Sequence, residues 1–203
     1  MRNLLSANFF RLRKVPLFWG MLILNAAFGA AMCVVRFQEH RTYGFLVSLD
    51  SVFFGWALFT GFLLSIFMPL FFGAEYSDGA IRNKMASGHG RVSIYLANFL
   101  TGFAVALACS AVYMLASAAV GIPLIGWLTV DTTVILLCVL GAVVITAAYC
   151  AIFTLITMLC SRKAAAAVLS MLTVLLLFAA AISVDGRLNA PPEISKYSLS
   201  VNG

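Results

Sequence analysis

The sequence predicts an all-α, polytopic membrane protein, and three observations carry that prediction. The first is composition: 63% of the 203 residues are hydrophobic and only 10% are charged, with a mean hydropathy of +1.05. Soluble domains sit near about 45–50% apolar and about 25% charged. A soluble core in a chain of this length has no use for so much apolar surface, whereas helical crossings of a bilayer absorb about 20 apolar residues each. The second observation is that the apolar runs are unbroken rather than alternating, which is the pattern of membrane helices and not of a barrel. The third is that Lys and Arg gather on alternate connections between the runs, as membrane topology requires.

In chain order, residues 1–16, MRNLLSANFFRLRKVP, combine Arg2, Arg11, Arg13 and Lys14 with Leu5, Phe9 and Leu12 on one side of a helix, Leu4 and Phe10 lying off that stripe. The pattern predicts a short interfacial helix before Pro16 turns the chain into the bilayer; the simpler alternative is a basic flank that only orients the first span. Residues 17–35 form that first span, retained rather than cleaved as a signal peptide because no small-residue cleavage pattern follows early. Trp19 is an interface anchor, and Asn25, the one strongly polar residue inside the span, needs a partner and is expected to face another helix.

A mixed-charge loop over 36–50 leads to a Phe-rich span, 51–74, which Pro69 is expected to kink. A charge-bearing segment over 75–93 precedes a third span, 94–120, and a turn holds Gly121, Pro123 and Gly126. A fourth span, 132–160, is separated from a fifth, 164–184, by the basic turn Ser161-Arg162-Lys163, and 185–203 form a polar tail. The whole is one transmembrane domain with five predicted spans. With the N-terminus inside, nine of the 13 Lys and Arg fall on inner segments and four (Arg36, Arg41, Arg187, Lys196) on outer ones. The N-terminus and residues 75–93 are therefore expected to be cytoplasmic.

The residue types needed for chemistry are not assembled. No His-Glu-x-x-His, no paired intramembrane carboxylates and no Gly-x-Ser-x-Gly elbow occur. His40 and His89 fall on opposite sides of the predicted membrane, so they cannot share a metal within one subunit. The five cysteines lie inside or at the ends of apolar runs, as small core residues do. These features argue against an enzyme and imply no cofactor and no metal. No Asp, Glu, Lys or Arg lies near the middle of a span, which disfavours ion-coupled transport; if the chain moves a substrate, the energy comes from outside its membrane core. The net charge of +6 is spread over short loops, with no basic stripe on a soluble domain, so no nucleic-acid partner is expected. Interior hydroxyls such as Ser110, Thr146 and Thr154 read as packing contacts, helped by small-xxx-small pairs such as Ala106 with Ser110.

The stretch from Gly73 to Asn98, GAEYSDGAIRNKMASGHGRVSIYLAN, is the longest charged interruption between two apolar runs. Asp78 and Arg82 are neighbours on a helix, Ile81 and Met85 form an apolar pair, and Gly79 and the Gly88-x-Gly90 pair bracket a helical piece of about two turns. That is either a short amphipathic helix offered to a soluble partner or a solvated loop. The run Glu75-x-x-x-Gly79-Ala80-Ile81-Arg82-Asn83-Lys84, followed by Gly88-His89-Gly90-Arg91 and Ile94-Tyr95-Leu96, resembles the loop between the second and third spans of permease subunits in type-2 ATP-binding-cassette exporters. It is most similar to the small permeases of lantibiotic and other peptide export in Gram-positive bacteria.

The resemblance implies a coupling helix that docks into a cytoplasmic ATPase, with Glu75, Asp78, Gly79, Ile81, Arg82 and Arg91 as coupling residues. It also implies two ATPase subunits and a second permease subunit as partners, contact with membrane lipid, a bacterial plasma-membrane location, and a sixth span that this chain does not contain. One position departs from the pattern: Asn98 stands where many members carry a Lys. The alternative function is a non-transporting membrane scaffold or sensor that recruits a cytoplasmic partner through the same loop.

Overall fold

A computed structural model describes residues 2–43, 49, 52, 56–77, 85–86, 88, 90–126, 131–160 and 162–188. Among the described residues the protein is all-helical, with six helices and no strand: α1 (Arg2–Lys14), α2 (Pro16–Tyr43), α3 (Trp56–Ser77), α4 (Arg91–Ile125), α5 (Thr132–Leu159) and α6 (Lys163–Leu188). Four of them, α2, α4, α5 and α6 over Lys163–Ala180, are long and apolar enough to cross a membrane. α3 contributes a shorter apolar stretch, Phe59–Ala74.

Local chemistry sets the boundaries. Pro16 opens α2, where its missing N–H has no helical partner to lose, and Val15 alone separates α1 from α2. α2 continues through Tyr43, eight residues beyond the predicted first span, and an Arg36–Glu39 ion pair at 2.9 Å supports this extension. α4 likewise runs past the predicted turn: Pro123 lies inside it, and the chain leaves the helix at Gly126, whose φ of 111° suits glycine. Gly121 is therefore not a turn residue. It is buried in the helix, where a Cβ would run into Leu49 and stand 3.1 Å from the Cys33 sulfur. α3 continues through Pro69, which withdraws the N–H that would have bonded the Ser65 carbonyl.

Consecutive long helices run antiparallel. Phe28 of α2 stacks on Phe59 of α3 with ring centroids 3.8 Å apart, Tyr95 near the start of α4 donates to the Ala151 carbonyl near the end of α5 at 3.2 Å, and Gly73 near the end of α3 lies beside Lys163 at the start of α6. The starts of α2, α4 and α6 and the ends of α3 and α5 thus share one end of the bundle. Arg11, Arg13, Lys14, Arg91, Arg162 and Lys163 gather there, while Arg36 and Arg41 lie at the other end.

α3 is the central helix, packed against α2, α4, α5 and α6. Its Leu64, Phe67, Met68, Phe71 and Phe72 form the middle of one core with Met21 of α2, Val105 and Cys109 of α4, Cys150 and Phe153 of α5 and Val174 of α6. α2 and α4 make the most extensive pair, and glycine makes it possible: a Cβ on Gly29 would stand 2.9 Å from the Tyr113 carbonyl oxygen and 3.3 Å from its ring. The outer surfaces of α5 and α6 expose Leu136, Leu137, Leu140, Leu172 and Leu176. A helical bundle with apolar side chains both inside and outside is compatible with a lipid environment.

Buried polar groups inside the bundle mostly bond within their own helix. Thr101, Ser110, Thr146, Thr154 and Thr157 each donate to the carbonyl four residues earlier, which removes a donor without linking helices. Asn25 does link helices: its amide nitrogen bonds the Met21 carbonyl at 2.9 Å, and its oxygen accepts from the Thr60 hydroxyl of α3 at 3.0 Å. The interhelical partner expected for Asn25 is Thr60. Cys33, Cys109 and Cys150 are buried free thiols, Cys160 is half-buried and Cys138 exposed.

Candidate functional site

Of the six residues singled out by the sequence, Glu75 and Arg91 fall among the described residues, on the two helices that flank positions 78–90 of the chain. Glu75 lies in the last turn of α3. Asp78, Gly79, Ile81 and Arg82 lie outside the described residues. Arg91 is the first residue of α4 and is exposed. Between them, Met85 and Ala86 are helical and exposed. Gly88 turns the chain with φ +83°, its N–H bonding the Met85 carbonyl at 3.0 Å, so this glycine is required by its backbone. Gly90 stands at the N-cap of α4 with extended backbone, and its carbonyl accepts from Ile94 N–H at 3.2 Å. The structure thus places Glu75 and Arg91 on the two helices that flank the segment.

Sequence reading missed what holds those helices together, which is α1. The inward face of α1 is Leu4, Asn8 and Leu12, all buried. It is not the predicted Leu5, Phe9 and Leu12 stripe: Phe9 is exposed and Leu5 only half-buried. The physical reason is that the face is fixed by polar as well as apolar contacts. Asn8 donates from Nδ2 to Asn98 Oδ1 of α4 at 3.0 Å and lies 3.4 Å from Thr101 Oγ1. Leu4 packs with Ile94 and Ala97 of α4, with Leu5 and Met158 alongside. On the α3 side, the Arg11 guanidinium donates to the Phe71 carbonyl and lies 4.5 Å over the centre of the Phe71 ring.

α1 therefore spans the last turns of α3 and the first turns of α4, the two helices that deliver and receive the 78–90 segment. Asn98 is a buried anchor for α1. Its amide nitrogen is buried without a hydrogen-bond partner, so both of its N–H donors are unspent. The signal that points to these anchors in the sequence is the pair of amides, Asn8 and Asn98, set in otherwise apolar surroundings. At the α1–α2 corner, the Trp19 indole N–H donates to the Arg13 carbonyl at 3.2 Å.

Among the described residues, no cluster of His, Cys, Asp or Glu that could hold a metal ion is found. What the described arrangement offers is mechanical: the end of α3 and the start of α4 are cross-tied by α1. No family model, curated protein or solved structure matches the chain.

Proposed function

We propose that the chain is a membrane-spanning permease subunit of an ATP-driven exporter, coupled to a cytoplasmic ATPase through residues 75–93. In this reading α2 to α6 are five spans, α1 lies at the cytoplasmic surface, and the basic end of the bundle faces the cytoplasm of a bacterial cell. ATP binding closes the ATPase subunits, and the 78–87 piece carries that motion into α3 and α4, opening a path outward between this subunit and a second permease. Glu75, Asp78, Gly79, Ile81, Arg82 and Arg91 position the coupling segment, and hydrolysis belongs to the partner.

The observation that carries the proposal is the strap formed by α1: Asn8 on Asn98 of α4 and Arg11 on the Phe71 carbonyl of α3. A loop that merely connects two spans does not need its roots tied. A loop that delivers force does, because untied roots would yield locally before the spans moved.

The test is affinity purification of the full-length protein from native membranes, intact and with residues 75–91 replaced by a Gly/Ser linker. Co-purification of a soluble ATPase with the intact chain and its loss with the linker support the exporter. Correct insertion with no ATPase bound refutes it and favours a scaffold or sensor that recruits another partner through this loop. Replacing Arg82 and Arg91 together with Ala is expected to uncouple ATP hydrolysis from transport while insertion is unchanged.

A further inference from the structure

The fold assigns α1 two faces and spends only one of them. Leu4, Asn8 and Leu12 are buried and Arg11 is engaged on Phe71, so α1 cannot roll about its axis without giving up its contacts to α3 and α4. The opposite face is fixed outward. There Ser6, Phe9, Phe10 and Arg13, at the i, i+3, i+4, i+7 spacing of one helix side, line a shallow groove of about 230 Å³. Phe9 is 38% and Phe10 63% exposed, Arg13 and Lys14 are both exposed, and the Lys14 ammonium sits 4.2 Å over the Phe10 ring.

We propose that this face binds an anionic phospholipid, with the phosphate taken by Arg13 beside the Ser6 hydroxyl and the Phe9 and Phe10 rings among the upper acyl carbons. The inference rests on the reading of α1 as an interfacial helix. Three features select this ligand. α1 contains no Asp or Glu among RNLLSANFFRLRK, so the face is complementary to negative charge alone. Two exposed phenylalanines beside cations suit an interface that is apolar on one side and anionic on the other. And exposed Trp19 of α2 bonds the Arg13 carbonyl, which sets this end of α1 against a helix long and apolar enough to cross a membrane; a bilayer covers both helices, which a soluble acidic protein does not.

The test uses the purified full chain in neutral detergent, delipidated and offered equimolar phosphatidylglycerol and phosphatidylcholine, with retained lipid counted by native mass spectrometry. Phosphatidylglycerol is expected to be preferred. Arg13→Gln should lower that preference about fivefold and Arg13→Gln with Lys14→Gln about 25-fold, since each surface cation contributes about one such factor toward an anionic headgroup. Phe9→Ser with Phe10→Ser should reduce retention of both lipids and leave the ratio between them unchanged. A parallel measurement separates this site from the interfacial reading: a Phe10→Cys thiol, in a chain whose five native cysteines are Ala, is challenged with a water-soluble maleimide in phosphatidylcholine-only nanodiscs. A protected thiol together with equal retention of the two lipids overturns the anionic site and leaves the interfacial helix standing. A freely labelled thiol overturns both.

Discussion

Replacing Gly29 with Ala tests the α2–α4 seam at its narrowest point. The added Cβ would stand 2.9 Å from the Tyr113 carbonyl oxygen, which belongs to the helix backbone and cannot swing aside. The Tyr113 ring, 3.3 Å away, is also held, because its hydroxyl donates to the Val52 carbonyl at 3.0 Å. The helices must therefore part by a few tenths of an ångström along a seam that also includes the Cys33 thiol on the Ser117 carbonyl. Overpacking of this kind costs about 1–3 kcal/mol. Alanine's better helix propensity offsets about 0.5–1 kcal/mol, and Gly20→Ala removes that term by comparison: it makes the same chemical change on the same helix with nothing within 4 Å of the new Cβ.

Thermal unfolding can be followed in detergent with a thiol-reactive fluorophore, using buried Cys33, Cys109 and Cys150 as reporters after Cys138 and Cys160 are replaced by Ser. On the scale of about 2–4 °C per kcal/mol for a chain of this size, Gly29→Ala should melt about 2–12 °C below Gly20→Ala. Equal melting temperatures for the two variants would refute the steric argument and show that the α2–α4 seam has room to give.

Three further outcomes are expected. Thr60→Val removes the donor to the Asn25 oxygen and should destabilise by about 0.5–2 kcal/mol in the same melt, the range for interhelical hydrogen bonds and stranded buried acceptors; no change would mean that Asn25 finds another donor. Asn8→Leu and Asn98→Leu should each destabilise more singly than additivity with the double variant allows, with a coupling of about 0.5–2 kcal/mol, because each single change leaves the partner amide unsatisfied; an additive cycle would deny the contact between α1 and α4. Single cysteines at Ser87 and Ser195 in an otherwise Cys-free chain should label from opposite sides of intact membranes, and labelling from one side would refute the count of five spans.

The helical class was legible because the apolar runs are long and their period is unambiguous; even the partner requirement of Asn25 could be read from a lone amide in an apolar run. The edges were less legible. Gly121, Pro123 and Gly126 form a turn signal by composition, but packing of Gly121 against Leu49 and Cys33 keeps the helix going until Gly126, and tertiary contact overrides local preference. The face of α1 was misjudged for a related reason. Hydrophobicity alone favours Leu5, Phe9 and Leu12, but an amide that finds a buried amide in α4 outweighs an aromatic ring that rests at the surface. Of the six residues that the sequence pattern singled out, the described structure places Glu75 at the end of α3 and Arg91 at the start of α4, and what it adds are the α1 anchors, Asn8 and Arg11, that a search confined to the loop passes over.

The strap also restricts how this end of the protein can move. Spreading the ends of α3 and α4 apart would strip Asn8 from Asn98 or Arg11 from the Phe71 carbonyl, the first of them a buried pair with little water to replace the lost bond. Tilting α1, α3 and α4 together breaks neither. The low-energy displacement is thus a rocking of three helices as one plate, with the bending taken up farther along α3, near Pro69, where the Ser65 carbonyl already lacks its ladder bond. In mechanical terms α1 is a gusset: it removes the scissoring degree of freedom at the joint and leaves the lever.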